Sequence, residues 1–451
     1  MIDHKYYRSQ VVKTLKFIIP PQKKVLFLGC LEGEALAGLD PSYGLGVEED
    51  KKSFNQAKEK YPNLTFVNNS YDLYKPKEKF NFIVLNGSLG QSKNLAGLLS
   101  NIQGACNPGT RLVIYQHNYL WQWIISIAEH LDLKRKEGTQ NWLSVADSAV
   151  YLQGCGFEVT RVFKRTVSPT FLFGLGGLLN WLSAILPFFD FFKLDQYLIA
   201  RPKPELFDPS TLPESLTVCI TVRNEKDNIE GIVKKLPIVC KTQEILFVEG
   251  HSTDGTREEI ERVSKKYPQK NVRVIGQPGK GQGDAIRVGF KDAKGDIVIL
   301  YEGDGTSYPD DLTYFYEAMR MGRFEFIEGS RFVYPLTSEA MPLPNKLGNI
   351  FFAKWFSFFL GQRTTDVLSG IKAILKRDYD LVYERWGFLG LQDPFGDFEL
   401  LYGAARMGLK IGEIPMRYYP RTYGTSKSNV YINGPYLLSM AAKGYWIFRN
   451  N

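Results

Sequence analysis

The sequence predicts a two-domain α/β protein in which each domain is a parallel sheet covered by helices, and three observations carry that reading. Its 451 residues exceed what one ordinary core organises. A proline-dense stretch at residues 200–213 (ARPKPELFDPSTLP) denies the backbone the donors and dihedrals of regular structure. On both sides of it, short runs rich in β-branched residues alternate with helical stretches. Residues 1–203 and 214–451 are therefore expected to fold separately, joined by a linker at 204–213.

Composition agrees with two cores: 44% of residues are hydrophobic and 23% charged, which excludes a disordered chain. The net charge of +8 suits an anionic partner such as nucleotide, phosphate or anionic lipid. No nucleic-acid-binding signature accompanies it, so nucleic acid is not an expected partner. The five cysteines stand singly, without metal or redox spacing, as in a reducing cytoplasm. The first 25 residues lack an apolar core followed by a small-residue cleavage site, which predicts no signal peptide.

In the first domain, residues 24–29 (KVLFLG), 44–48, 82–85 and 111–115 read as strands. Gly29 and Gly33 bracket the turn from the first strand into a helix, and Glu48 ends the second strand. That pattern suits a nucleoside whose ribose hydroxyls are held by a carboxylate. Residues 171–192 (FLFGLGGLLNWLSAILPFFDFF) are apolar enough to approach a membrane span. Asn180, Pro187 and Asp190 interrupt them, which favours an interfacial or substrate-covering helical segment.

In the second domain, residues 216–221, 244–248, 272–275, 296–301 and 325–328 read as strands. The strand ending at Tyr301 is followed by Glu302 and Asp304, acids at i and i+2 that can face one site where Mg²⁺ or Mn²⁺ bridges a diphosphate. An acidic helix cap is the alternative, although Asp310 and Asp311 already serve that purpose. Two earlier strand ends carry Thr221, Arg223, Asn224 and Glu225, then Glu249 and Asp254. Together they form a crevice in which carboxylates can accept hydrogen bonds from a base or ribose. The loop GKGQGDAIR (279–287) adds glycines for close backbone approach, Lys280 and Arg287 as cationic donors, and Asp284 to orient ribose or cation. Residues 350–360 form an aromatic helical stretch, either core or, with Lys346 and Arg363, a shelf for a lipid tail.

In order and at similar spacing, TVRNE, VEGHSTDGT, GKGQGDAIRVGF, YEGDGTSYPDD, EGSR, TDVLSGIKA, DPFGDFELL and GEIPMRYYPRTYGTSKS resemble the family 2 inverting glycosyltransferases of the GT-A fold, nearest the dolichyl- or polyprenyl-phosphate mannose synthases. The resemblance implies sugar transfer from a nucleotide diphosphate sugar held by Thr221, Arg223, Asn224, Glu225, Glu249, Asp254, Lys280, Asp284 and Glu302. It puts the metal on Glu302 and Asp304, with Arg331, Arg417, Arg421 and Lys427 as the candidates that help to neutralise the leaving diphosphate. Asp397 would be the base for a hydroxyl acceptor, with Asp393 and Glu399 beside it. A lipid phosphate acceptor is already anionic, and Asp397 would then orient it. Asp366, Arg417 and Arg421 would face the acceptor, a polyprenyl phosphate or a glycan at the inner membrane face, with peripheral membrane association. Thr221 replaces the family's usual Pro, Glu249 and Gly250 its paired Asp, and Glu302 the first Asp of its metal motif. These changes point to altered nucleotide or sugar choice; His251 has no reading.

The first domain resembles class I S-adenosylmethionine-dependent methyltransferases. Gly29, Gly33, Glu48 and, in NNSYDL, Asp72 fall at that family's cofactor positions, and FNFIVLNGSLG and NPGTRLVIY match its fourth and fifth strands. Phe27 stands where an acid is usual and Leu31 where a glycine is, so methyl transfer and a degenerate docking fold both stay open. His117 is either structural or a base near a methyl acceptor. Two rivals stand against the glycosyltransferase reading: a nucleotidyltransferase, which leaves GDFELL and EIPMRYYPRTYG unexplained, and a sugar-nucleotide-binding scaffold, against which intact Asp304, Asp397 and Arg331 argue.

Overall fold

The central apolar runs of each half, residues 25–28, 82–85, 216–220 and 297–301, lay down strands that are buried on both faces. The computed structural model describes residues 4–131, 141–337, 339–384, 395–421, 423 and 430–451. The chain divides into one unit of Met1–Phe207 with Phe448–Asn451 and a second of Asp208–Ile447. Residues 204–213 contain two short 3₁₀ turns, Pro204–Leu206 and Pro209–Thr211, each opened by its proline.

The first unit is a seven-stranded sheet in the order β3-β2-β1-β4-β5-β7-β6. Its strands are β1 (Lys24–Leu28), β2 (Tyr43–Glu48), β3 (Thr65–Asn68), β4 (Phe82–Asn86), β5 (Arg111–His117), β6 (Phe157–Arg165) and β7 (Asp195–Pro202). Strands β1 to β5 pair in parallel, whereas β7 runs antiparallel to both β5 and β6. Leu26, Leu28, Ile83, Leu85, Leu112, Ile114 and Leu198 fill the core beneath the helices. The sequence reading did not mark β3, β6 or β7. Strand β6 hides because Arg161 and Arg165 lie in it; both are buried, their guanidinium groups stacked 4.6 Å from the Phe163 ring.

The apolar stretch at 171–192 is broken at Pro187, as expected, but not at Asn180, which lies inside a helix Leu175–Ile185; a 3₁₀ turn Leu172–Gly174 precedes that helix and a second turn Pro187–Phe191 follows it. Among the described residues, no helix is long and apolar enough to cross a membrane.

The second unit is also a seven-stranded sheet, in the order β10-β9-β8-β11-β13-β12-β14. Its strands are β8 (Leu216–Val222), β9 (Gln243–Glu249), β10 (Val272–Gly276), β11 (Ile297–Glu302), β12 (Phe326–Ser330), β13 (Lys372–Leu375) and β14 (Ile411–Pro415). β13 is antiparallel to β11 and β12; the other pairs are parallel. Val218, Ile220, Ile245, Phe247, Ile297 and Ile299 form the centre of the core. Because β8, β9 and β11 are parallel neighbours, their carboxyl ends open on one side, and the loops carrying Thr221–Glu225, Glu249–Asp254 and Glu302–Asp304 meet there.

Candidate functional site

Register places the acids of the second unit. Glu302 stands opposite Thr221, and Val222 opposite Glu249, at the ends of three adjacent strands. Gly303 lets the chain leave β11 sharply, since a Cβ there would sit 2.9 Å from Thr221 O. The turn then folds back on its own acids. Asp304 Oδ1 accepts from Thr306 N at 3.1 Å and Thr306 Oγ1 at 2.7 Å, and Glu302 Oε2 accepts from Ser307 Oγ at 2.9 Å.

Arg421 joins two of these loops, donating to Glu225 Oε1 at 3.0 Å and to Asp304 Oδ2 at 2.7 Å. Expected either beside the acceptor or beside the leaving diphosphate, it supplies the positive charge between these two carboxylates. Burial first, and the Asp304 carboxylate second, push Glu302 up to about 7, with Asp397 adding to the effect. Glu302 Oε1 accepts no hydrogen bond from a described residue and abuts Gly370, where a Cβ would come within 2.1 Å of it. Among the described residues no cluster of three His, Cys, Asp or Glu could hold a metal ion. Two crowded carboxylates, one with an unclaimed oxygen, fit a hard cation that takes its remaining ligands from a diphosphate.

The other residues expected on the donor side hold the loops in shape. Asn224, at φ 54°, accepts from Thr253 N at 2.8 Å, and Asp254 accepts from Thr256 N at 3.0 Å and Lys226 N at 3.2 Å. Glu249 accepts from Ser252 N. Asp284 Oδ2 accepts from Gly279 N at 2.8 Å and closes the glycine loop on itself. His251 finds its explanation here: its Nε2 lies 3.1 Å from Gly279 O, tying the second loop to the glycine loop. Arg223 and Lys280 are exposed, whereas Arg287 pairs with buried Glu399 at 2.7 Å.

Arg331 and Asp366 form a buried bidentate pair, at 2.7 Å from Nε and 2.8 Å from Nη2, and Asn349 Nδ2 donates to the same carboxylate. Arg417 pairs with Asp311 at 3.0 Å and stacks 4.2 Å from the Tyr308 ring. Asp397 opens the helix Asp397–Arg406 after Gly396, at φ 80°, and lies 3.4 Å from Lys372 Nζ. Lys372 escaped sequence reasoning. It begins β13, is fully buried, and pairs with Glu328 as well, at 3.4 Å. The signal available was a lysine inside the apolar run GIKAIL. Asp393 and Lys427 lie outside the described residues.

Beside the Arg331–Asp366 pair in sequence, Phe332–Leu336 and Thr364–Thr365 line a cavity of about 770 Å³ together with the helix Leu343–Leu360. That helix is both core and wall: Phe352, Phe356 and Phe359 are buried, whereas Leu347, Phe351 and Phe358 are exposed. Lys346, Lys354 and Arg363 stand along the cavity.

In the first unit a cavity of about 290 Å³ opens at the ends of β1, β4 and β5, lined by Leu31, Glu32, Asn86, Gly87, Tyr115 and His117 among others. Gly29 and Gly87 both take positive φ, 79° and 68°, and nothing lies within 4 Å of a Cβ placed on Gly87. Gly33 packs against Phe66 and Tyr61. Glu48 is buried and accepts from Leu31 N at 2.7 Å, Asp50 N at 3.1 Å and the Tyr71 hydroxyl at 3.3 Å, which leaves one of a carboxylate's four acceptor positions. Asp72 accepts from Ser92 Oγ, Lys93 N and Asn94 N. Of the residues expected to bind a cofactor, Gly29, Gly33, Glu48 and Asp72 are not among those that line this cavity.

Each unit matches a family model. Residues 217–380 match the family model for glycosyl transferase family 2, and residues 3–162 that for a methyltransferase domain. The chain is 28% identical over 215 residues to glycosyltransferase AglJ of Haloferax volcanii, covering 47% of this chain and 66% of that one. It is 31% identical over 134 residues to a dolichol-phosphate mannosyltransferase of Pyrococcus furiosus (29% and 37%), and 26% identical over 264 residues to dolichyl-phosphate beta-glucosyltransferase ALG5A of Trichomonas vaginalis (50% and 74%). The chain thus spans between about a third and three quarters of these relatives' own lengths. Among solved structures, glucosyl-3-phosphoglycerate synthase from Mycobacterium tuberculosis aligns at 14% identity and TM-score 0.36 over 54% of this chain and 84% of that one. A TehB-like methyltransferase from Corynebacterium glutamicum aligns at 17% identity and TM-score 0.30 (44% and 88%). The chain therefore carries a methyltransferase domain followed by a family 2 glycosyltransferase domain.

Proposed function

We propose that the second unit transfers a sugar, with inversion, from a nucleotide diphosphate sugar to a lipid phosphate of the polyprenyl type. The observation that carries this reading is the meeting of Glu225, Asp304 and Arg421 at the strand ends, beside Glu302. Glu302 and Asp304 would hold a divalent cation, Mg²⁺ or Mn²⁺, which when bound supplies Lewis-acid neutralisation of the departing diphosphate. Thr221, Arg223, Asn224, Glu225, Glu249 and Asp254 shape the nucleoside crevice, and Lys280 and Asp284 its glycine-loop wall. Arg421 offers a guanidinium at the donor side and Arg331 one beside the acceptor, its fork fixed by Asp366. Asp397, held by Lys372, orients a phosphate acceptor or takes the proton of a hydroxyl one.

The cavity of about 770 Å³ supports the lipid phosphate over a free glycan: aromatic and aliphatic walls suit a tail, and Lys346, Lys354 and Arg363 suit an anionic head. Two of the relatives are named for dolichol-linked transfer. Peripheral contact with the cytoplasmic face of a membrane is supported by Trp123, Phe173 and Phe188 of the first unit, all exposed. For the first unit itself, its cavity supports a second activity, methyl transfer from S-adenosylmethionine.

A panel of nucleotide sugars with Mn²⁺, scored by nucleotide diphosphate release with and without polyprenyl phosphate, tests the reading. Lipid-stimulated release with one donor is expected, and Asp304→Ala should lower it at least 100-fold with the fold intact. Donor binding without release on any acceptor would leave a scaffold instead.

A further inference from the structure

We propose that His117, set by Asp195 and by the hydroxyls of Tyr7 and Tyr115, is the base that accepts the proton of a neutral hydroxyl acceptor in the first unit. The inference rests on the methyl-transfer reading of that unit and concerns what the cavity accepts besides the donor.

His117 is the last residue of β5, and it lines the 290 Å³ cavity together with Tyr7 and Tyr115. Its Nδ1 is turned inward, 3.5 Å from Asp195 Oδ1 and 3.5 Å from the Tyr7 hydroxyl. Its Nε2 makes no hydrogen bond to a described residue. Asp195 opens β7 directly across the ladder from His117 and is wholly buried. Three donors crowd one of its oxygens: Tyr7 OH donates to Oδ1 at 2.5 Å, Tyr115 OH at 3.2 Å, and the imidazole stands at 3.5 Å. Among the described residues Oδ2 has no hydrogen-bond partner.

A buried carboxylate aimed at one ring nitrogen selects the tautomer with the proton on Nδ1 and leaves the Nε2 lone pair facing the cavity. Burial first, and the Asp195 charge next, keep both tyrosines protonated far above neutral pH, so they serve as donors that position Asp195. Arg8, Glu32 and Glu34 face the same cavity, Arg8 paired with Glu32 at 2.7 Å, while Arg165 and Tyr197 lie on the Asp195 side.

The acceptor class follows from charge. A carboxylate acceptor is already an anion and has no use for a base. A neutral hydroxyl gives R–OH + CH₃–S⁺R′₂ → R–O–CH₃ + SR′₂ + H⁺. The oxygen lone pair forms the C–O bond as the C–S pair returns to sulfur, and the hydroxyl proton passes to Nε2. Asp195 then faces the imidazolium so formed.

The test uses the full chain, calorimetry with S-adenosylhomocysteine, and S-adenosylmethionine labelled in its methyl group, offered with methyl glycosides, phenols and simple carboxylates. Alkali separates the products, since methyl ethers survive it and methyl esters do not. Expected are S-adenosylhomocysteine binding and alkali-stable label. His117→Gln and Asp195→Asn should each lower transfer 100-fold or more and leave S-adenosylhomocysteine affinity within threefold. Asp195→Glu should restore part of the rate, which a merely structural Asp195 would not require. Binding accompanied by alkali-labile label, by no label in any acceptor class, or by undiminished transfer in His117→Gln overturns the proposal alone. Failure of the wild-type chain to bind S-adenosylhomocysteine overturns the methyl-transfer reading beneath it.

Discussion

Lys372 holds two carboxylates inside the second unit, with Ser369 O accepting from its Nζ at 2.7 Å and Glu328 and Asp397 each 3.4 Å away. Glu328 is wholly buried, and desolvation outweighs Lys372 to push it up to about 7. A carboxyl raised in the folded state favours folding while it stays protonated. Its stabilising effect is complete below the unfolded value near 4.5 and is lost as pH rises through about 7. Glu328→Gln should therefore flatten the fall in unfolding free energy between about pH 4.5 and 7, a change on the order of 3 kcal/mol by chemical denaturation. An unaltered pH profile would mean that Glu328 titrates as an ordinary acid. At this scale the sequence was readable where acids follow apolar runs, as at Glu302 and Asp304. It was silent on Lys372, because an isolated lysine among apolar residues carries no sign of its partners. The destination of Arg421, 117 residues from Asp304, is likewise set only by tertiary folding.

Strand β13 shows how an element serves the site from the outside. It runs against its neighbours, and the segment just before it brings Gly370 against Glu302. Gly370→Ala would drive a methyl group to within 2.1 Å of Glu302 Oε1. The carboxylate must turn, so donor turnover should fall tenfold or more while the thermal transition moves by only a few degrees. Equal losses in both would assign Gly370 to stability instead. Parallel strands β8, β9 and β11 were legible as uninterrupted apolar runs. Strands β6, β7 and β13 were not. β6 and β7 form an antiparallel edge in which Arg161 and Arg165 stack on Phe163 and Arg201 pairs with Glu158, and β13 has only four residues. In the stretch 171–192 only Pro187 marks a break, opening the next turn; Asn180 lies inside the helix, its Oδ1 accepting from Val167 N and Ser168 N.

Across the whole chain, the proline-rich stretch signalled a division, but nothing in the sequence assigned Phe448–Asn451 to the first unit. Phe448 is buried, edge-on to Phe17 at 5.5 Å and 4.8 Å below the Arg161 guanidinium. Arg449 pairs with Asp190 at 2.6 Å, and Arg165 donates to Asn451 O at 2.7 Å. Phe448→Ala should cost the first unit about 3–5 kcal/mol. In a two-transition melt the loss should fall on the transition of the first unit, with nucleotide diphosphate release by the second unit unchanged at low temperature.

Translation runs in one direction, and this fold does not keep to its order. A nascent domain ordinarily closes as its own residues emerge from the ribosome. Here the first unit gains Phe448, which packs on Phe17 and Arg161, only after some 240 further residues have been made. The unit whose sequence is translated first is the one whose folding is completed last.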